Sequence, residues 1–171
     1  MSERFRAFFL IAGLVLLAGL GHKPTAFAQT SNNPIPRFVA IDRSVANMRS
    51  GPGRQYPIQW VYKRAGLPLK VVDENGPWRR VVDPDGAEGW MHVRLLTGRR
   101  TVLLKGEPGA ITRKLYQKPS ATSAVRVTAE SGVTARLMAC EKLWCELRIE
   151  NVRAWIETRH LWGIFPGEEI G

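Results

Sequence analysis

Residues 66–81 of this chain return later in altered form, and that repetition constrains the fold more than any other feature. An offset of 66 residues lays GLPLKVVDENGPWRRV (66–81) over GVTARLMACEKLWCEL (132–147), matching Gly66 with Gly132, Trp78 with Trp144 and Val81 with Leu147. An offset of 65 then lays GWMHVRLLTG (89–98) over AWIETRHLWG (154–163), matching Trp90 with Trp155, Arg94 with Arg159, Leu96 with Leu161 and Gly98 with Gly163. A drift of one residue between the blocks is what one loop of altered length produces. Two matched tryptophans and a matched closing segment mark a tandem duplication. Each unit is so short that it must close around a very small core.

Within each copy the signals are those of short strands separated by turns. Val39 to Met48 begins strand-like, and Ser50-Gly51-Pro52-Gly53 marks a tight turn. Gln59 to Tyr62 is a short β-branched and aromatic run. Leu69–Val72 and Trp78–Val82 flank the hairpin loop Asp73-Glu74-Asn75-Gly76-Pro77, and Asp83-Pro84-Asp85-Gly86 turns the chain toward Gly89–His92. Arg94-Leu95-Leu96 reads as a single helical turn. The second copy repeats the scheme with Leu115-Tyr116, Val125–Val127, Thr134–Ala139, Trp144–Ile149 and Arg153–Ile156. About five short strands per copy indicate a small barrel, so the fold class is all-β. The strand Thr101–Leu104 is expected to dock on the first copy, with a bend at Gly106, Pro108 and Gly109.

The N-terminus points to export. Arg4 and Arg6 precede a run of 14 apolar residues, Ala7 to Leu20, and Ala26-Phe27-Ala28 stands before Gln29. That is a positive n-region, a short apolar core and an A-x-A cleavage signal, with the cut expected after Ala28. An uncleaved anchor needs about 20 apolar residues, and no later segment is long and apolar enough to span a membrane. The expected location is periplasmic. Cleavage removes Arg4, Arg6, Lys23 and Glu3, lowering the formal charge from +10 to +8. A basic exported surface favours anionic lipid, anionic wall polymer or acidic protein; export disfavours nucleic acid. Ordinary solubility is the other reading of that charge.

Cys140 and Cys145 are the only thiols, in the spacing C-x4-C. On facing strands of a tight hairpin they suit a structural disulfide, which export would preserve. Free thiols are the alternative. Two thiols without a nearby His are too few for a metal site, and redox pairs use a shorter spacing. No metal or cofactor is expected. His92 and His160 are the only histidines after residue 28, and no nucleophile motif accompanies them. Cys145 with His160 is the one formal catalytic pair, and a Cys140–Cys145 bridge would disable it. No catalytic residue is assigned, and the protein is read as not an enzyme.

The run Val45-Ala46-Asn47-Met48-Arg49-Ser50-Gly51-Pro52-Gly53, then Gly76-Pro77-Trp78-Arg79-Arg80-Val81, then Gly89-Trp90-Met91-His92 closing on Leu95-Leu96, resembles a bacterial SH3 (SH3b) domain. The chain from about Phe38 to Glu168 resembles the exported two-copy SH3-like proteins of alphaproteobacteria, whose second copy carries a Cys…Trp-Cys hairpin and ends Leu-Trp-Gly, as Leu161-Trp162-Gly163 does here. The second copy departs from the pattern, with Ala154 in place of the glycine before Trp155. The resemblance implies two SH3-like barrels in tandem and a binding function. The expected organisation is a signal peptide (1–28), a flexible N-terminal segment (29–37), a first domain (38–104), a linker (105–110) and a second domain (111–168). It implies cell-wall peptidoglycan or another anionic envelope component as ligand, with an envelope protein as the alternative partner.

Trp78, Trp90, Trp144 and Trp155 are expected to build the barrel cores. Tyr56, Trp60 and Tyr62, with Arg49 and Arg54 nearby, form the candidate ligand groove if the aromatics are exposed; scattered structural aromatics are the competing reading. Of Arg79 and Arg80, consecutive in a strand, one is expected in solvent and the other toward a barrel end. Arg99-Arg100, between the copies, is placed to bridge them through acidic residues, and Trp162 to sit half-buried between them.

Overall fold

In the computed structural model, residues 31–107, 109 and 111–170 are described, and they form two seven-stranded antiparallel sheets. The expected signal peptide, residues 1–28, lies outside the described residues. The first sheet comprises β1 (Arg37–Ile41), β2 (Ala46–Arg49), β3 (Ile58–Tyr62), β4 (Pro68–Asn75), β5 (Trp78–Val82), β6 (Glu88–His92) and, after a 3-10 turn (Val93–Leu95), β7 (Leu96–Thr97). The second comprises β8 (Thr101–Leu104), β9 (Thr112–Tyr116), β10 (Val125–Glu130), β11 (Thr134–Glu141), β12 (Trp144–Ile149), β13 (Val152–Glu157) and, after a 3-10 turn (Thr158–His160), β14 (Leu161–Trp162). The strand orders are β3-β2-β6-β5-β4-β1-β7 and β10-β9-β13-β12-β11-β8-β14. Adding seven to each strand of the first order gives the second, so the duplication seen in the sequence is a duplication of topology.

The copies also share their irregularities. Register shifts fall between Val71 and Asp73 in β4 and between Leu137 and Ala139 in β11, at matched positions. A second pair falls at Met48/Arg49 against β3 and at Val125/Val127 against β9. Bulges bend and twist the long strands, which allows so few strands to curl around a core. Gly66 and Gly132, both at φ +83, turn the chain into β4 and β11; a side chain there would be strained.

Each barrel has its own core. Val39, Ile41, Met48, Leu69, Val81 and Met91 fill the first; Leu104, Leu115, Leu137, Cys145, Leu147 and Ile156 are prominent in the second. The core clusters are aliphatic and sulfur-bearing; of the four tryptophans expected in the cores only Trp78 is buried, which corrects the expectation for Trp90, Trp144 and Trp155. Trp90, Trp144 and Trp155 are half-buried, and Trp78, although buried at 9% exposure, stands outside the first cluster. The indoles of Trp90, Trp144 and Trp155 stay partly exposed, while Met48, Met91, Leu115 and Leu147 take the interior. Cys140 and Cys145 face each other across β11 and β12 and form the disulfide, with Cα atoms 4.1 Å apart.

Strand β8 corrects the expected boundary. Thr101–Leu104 pairs with β11 and β14, not with the first sheet, so residues 98–100 connect the barrels and the second one begins at Thr101. The expected flexible segment is also tied down from Ser31 onward. The Ser31 amide and hydroxyl both donate to Glu74, each at 2.6 Å, and Arg37 already belongs to β1.

The barrels touch through β1 and the C-terminal segment. Strand β1 is buried on both faces: Val39 and Ile41 enter the first core, while Phe38 turns toward Trp162 and Phe165. Arg100 donates to both carboxylate oxygens of Glu168, at 2.5 and 3.1 Å, and to the Gly163 carbonyl at 3.0 Å. Arg64 reaches the Gly132 carbonyl and the Thr134 hydroxyl. Trp162 is half-buried at this junction. Among the described residues no helix is long and apolar enough to cross a membrane.

Candidate functional site

The loop joining β2 to β3 and the 3-10 turn after β6 enclose a cleft on the first barrel. Asn47, Arg49, Arg54, Trp78, His92, Arg94 and Leu95 line about 320 Å3. Three separated stretches of chain supply these residues. The Arg49 guanidinium reaches across its loop and donates to the carbonyls of Arg54 (3.1 Å) and Tyr56 (2.7 Å), fixing the loop against the end of β2. Gly51 allows the loop to close: a Cβ there would lie 2.5 Å from the Tyr56 ring. Tyr56 therefore covers the turn.

On the opposite wall, Trp78 and His92 meet edge to face with ring centroids 5.2 Å apart. His92 Nδ1 accepts from the Arg94 amide at 3.2 Å and caps the 3-10 turn. Burial, then Arg94, Arg54 and Arg79, hold the imidazole below its usual range. His92 is therefore neutral at pH 7, with Nε2–H left as a donor. None of Arg49, Arg54 and Arg94 has a carboxylate partner among the described residues. An indole beside three guanidiniums without a counterion is suited to a ligand with an anionic group and an apolar body.

The second barrel carries a cleft in the same place, lined in part by Lys114, Tyr116, Ala121, Glu157, Arg159 and His160, also about 320 Å3. The correspondence follows from pairing: Arg49 faces Trp90 as Tyr116 faces Trp155. The loops are of equal length, closed by Ser50 N to Pro57 O and by Gln117 N to Ala124 O. Tyr116 thus stands for Arg49, Ala121 for Arg54, Glu157 for His92 and Arg159 for Arg94.

Here both arginines are compensated internally. Arg159 pairs with Glu157 at 2.5 Å, and Arg113 with Glu107 at 3.0 Å. His160 Nδ1 lies 3.1 Å from Glu107. Burial, Arg113 and Arg159 outweigh the two carboxylates and hold His160 below its usual range, so that contact adds little ion pairing at pH 7. Tyr116 and Trp144 meet edge to face at 5.8 Å. The frame is shared, but the first cleft holds three arginines without a carboxylate partner and the second only Lys114.

Of the expected groove residues, the structure brings Arg49 and Arg54 together in the cleft and separates the aromatics from it. Trp60 is 57% exposed on β3, outside the cleft lining. Tyr62 points to the first core, and its hydroxyl donates to Asp83 Oδ2 at 2.9 Å. Burial and the Asp83 carboxylate push the Tyr62 phenol well above its usual range. Strand β3 carries Tyr62 over the core and Trp60 beyond its edge, so the two do not form one surface. Sequence reasoning missed Asn47, His92, Arg94 and Leu95; Trp78, expected in the core, is buried and also lines the cleft. The repeat held one usable signal, because Arg94 and Arg159 are matched beside the closing turn of each copy.

A solved NlpC/P60 family protein from Bacillus cereus is 17% identical, matched over 78% of this chain and 58% of that one, with a TM-score of 0.32. NlpC1 from Trichomonas vaginalis is 8% identical, matched over 82% of this chain and 50% of that one, with a TM-score of 0.33. This chain thus spans between half and three-fifths of those proteins. No curated protein matches it. The sequence profile of the bacterial SH3 domain matches residues 43–98 and again 112–163, one match on each barrel. The chain belongs to the bacterial SH3 domain family.

Proposed function

We propose that this protein is an exported, non-catalytic binding module whose first barrel recognises an anionic component of the cell envelope, with peptidoglycan as the leading ligand. The observation that carries the reading is the first cleft, where Arg49, Arg54 and Arg94 surround Trp78 with no carboxylate among them. The family membership and the Cys140–Cys145 bond, which suits an oxidising compartment, support a place outside the cytoplasm. Arg54 and Arg94 supply charge, His92 Nε2–H a neutral donor, and Trp78 with Leu95 an apolar platform. Arg49 holds the loop that presents Arg54.

The test is co-sedimentation of oxidised residues 29–171 with purified sacculi at about 10 mM and about 150 mM salt, where the screening length falls from about 30 to about 8 Å. Pelleting is expected to survive the higher salt and to weaken at least about tenfold in the Arg54→Ala/Arg94→Ala variant, with no soluble muropeptides released. Absence of pelleting, or equal pelleting by the variant, overturns the cleft reading; release of muropeptides overturns the non-catalytic one.

A further inference from the structure

Strands β3 and β10 hold the same outermost place in their sheets, yet they differ in what covers them. In β10, Val127 and Ala129 pack against the second core while Arg126, Thr128 and Glu130 face solvent. That is the alternation of a strand with one buried face. In β3 the sequence IQWVY has no charge, yet Ile58, Gln59, Trp60 and Val61 are all exposed. Only Tyr62 reaches the first core. Val45, just before β2, is a further exposed apolar residue at 55%. An apolar strand open on both faces and at its edge is a site for strand pairing, which edge strands usually block with charges as β10 does.

We propose that β3 is a docking edge for an extended segment of another protein, apolar in its centre and acidic at both ends, which adds as a further strand and covers Ile58, Trp60 and Val61. Charge selects this occupant over a second copy of the chain. Arg54 precedes β3 and Lys63 follows it, and neither has a carboxylate partner among the described residues. Antiparallel pairing of two copies would set Lys63 of each against the Arg54 end of the other, which is repulsive. A segment with Asp or Glu at its ends meets a cation at each. Backbone hydrogen bonds would supply affinity, and the Trp60 indole a contact for an alternate side chain. This surface shares only Arg54 with the cleft; Ile58, Trp60, Val61 and Lys63 lie outside the cleft lining, so substitutions at Trp60 and Lys63 test the edge separately from the cleft.

The test titrates the oxidised protein, labelled for amide NMR, with two synthetic nine-residue peptides of alternating Val and Thr. One carries Asp-Glu at both ends and the other Lys-Lys. The acidic peptide is expected to bind with a Kd below about 1 mM and to slow exchange of β3 amides, with the basic peptide at least about tenfold weaker. Trp60→Lys should abolish peptide binding while leaving sacculus pelleting unchanged; Lys63→Glu should narrow the preference between the peptides. Equal binding of both peptides, no binding at 1 mM, or binding unaffected by Trp60→Lys overturns the proposal. So does concentration-dependent dimerisation that Trp60→Lys removes, because a second copy is then the occupant.

Discussion

Phe38 of the first barrel and Trp162 of the second meet edge to face, with ring centroids 5.1 Å apart and planes inclined at 76°. Phe165 lies against the same Phe38 ring at 4.7 Å, and the Arg100 guanidinium sits 5.8 Å from its centroid. One residue from β1 is thereby enclosed by the final turn and C-terminal segment of the other repeat. An aromatic pair of this kind contributes about 0.5–1.5 kcal/mol beyond the area it buries. Trp162→Ala combined with Arg100→Ala is expected to convert one cooperative thermal transition into two. Calorimetry checks this, and a single transition in the double variant would show that the barrels are coupled elsewhere.

Glu74 joins the N-terminal segment to the first barrel. Its side chain is 5% exposed and takes contacts from Arg37 at 2.5 Å and Arg79 at 3.2 Å, besides both bonds from Ser31. Burial alone would raise the carboxyl, but Ser31, Arg37 and Arg79 overcome it and hold Glu74 below its usual range. A depressed carboxylate adds stability at neutral pH that is lost as pH falls through the folded-state value. Glu74→Ala leaves Arg79 buried without its counterion and is expected to cost about 3–5 kcal/mol, measured by urea unfolding at pH 7. The deficit should shrink as pH is lowered below the ordinary carboxylate range. A pH-independent deficit would assign the loss to packing.

Tyr62 responds at the other end of the pH scale. Its phenol is raised above the usual value near 10 by burial and by Asp83. A raised acid binds its proton more tightly when folded, so its contribution is present below the unfolded value and is lost as pH rises above it. Tyr62→Phe is expected to cost about 1.5–3 kcal/mol at pH 7, the range for a hydrogen bond to a charged group. The wild type should then lose stability above pH 10 more steeply than the variant. Parallel stability curves from pH 8 to 11 would contradict the assignment.

Much of this fold was legible because the chain states its pattern twice. Matched tryptophans located β5, β6, β12 and β13, and the C-x4-C spacing located the hairpin that carries the disulfide. The sheet to which Thr101–Leu104 belongs was not legible, since a short apolar strand does not name its partner. Its counterpart β1 lies outside the aligned blocks, so the repeat gave no guide. The aromatic groove failed for a different reason. A period of two puts Trp60 and Tyr62 on one face, but it does not show where a strand runs beyond its core. The cleft escaped because Arg54, Trp78 and Arg94 are brought together only by folding. Strand alternation did separate Arg79 from Arg80: Arg80 is exposed and Arg79 is buried at 7%.

Lys142 and Gly76 occupy the same hairpin position in the two copies, at φ 54 and φ 51. The left-handed region costs a residue with a Cβ about 1–2 kcal/mol, while glycine forfeits about 0.5–1 kcal/mol of unfolded-state entropy. Lys142→Gly is therefore expected to stabilise the second barrel by about 0.5–1 kcal/mol. Thermal unfolding of the oxidised protein checks this, and a lower midpoint would mean that the lysine side chain makes a contact worth more than the strain.

Gly89 and Ala154 are also equivalent, and they connect packing to the cleft. A Cβ on Gly89 would lie 2.7 Å from Met48 Cγ, 2.8 Å from the Arg49 carbonyl oxygen and 2.9 Å from Gln59 Oε1. Gln59 can swing away, but Met48 is fully buried and the Arg49 oxygen is backbone. Gly89→Ala must therefore push β2 outward, at a cost of about 1–3 kcal/mol for overpacking. The second barrel already holds Ala154 there, buried at 2%, so Ala154→Gly is expected to cost only about 1 kcal/mol. The displaced strand ends in Arg49, which fixes the loop bearing Arg54, so Gly89→Ala should weaken sacculus binding at temperatures where the protein is still folded. Urea midpoints and pelleting of the two variants give the comparison. A Gly89→Ala protein of wild-type stability and affinity would show that the close approach of β6 to β2 does not hold the cleft.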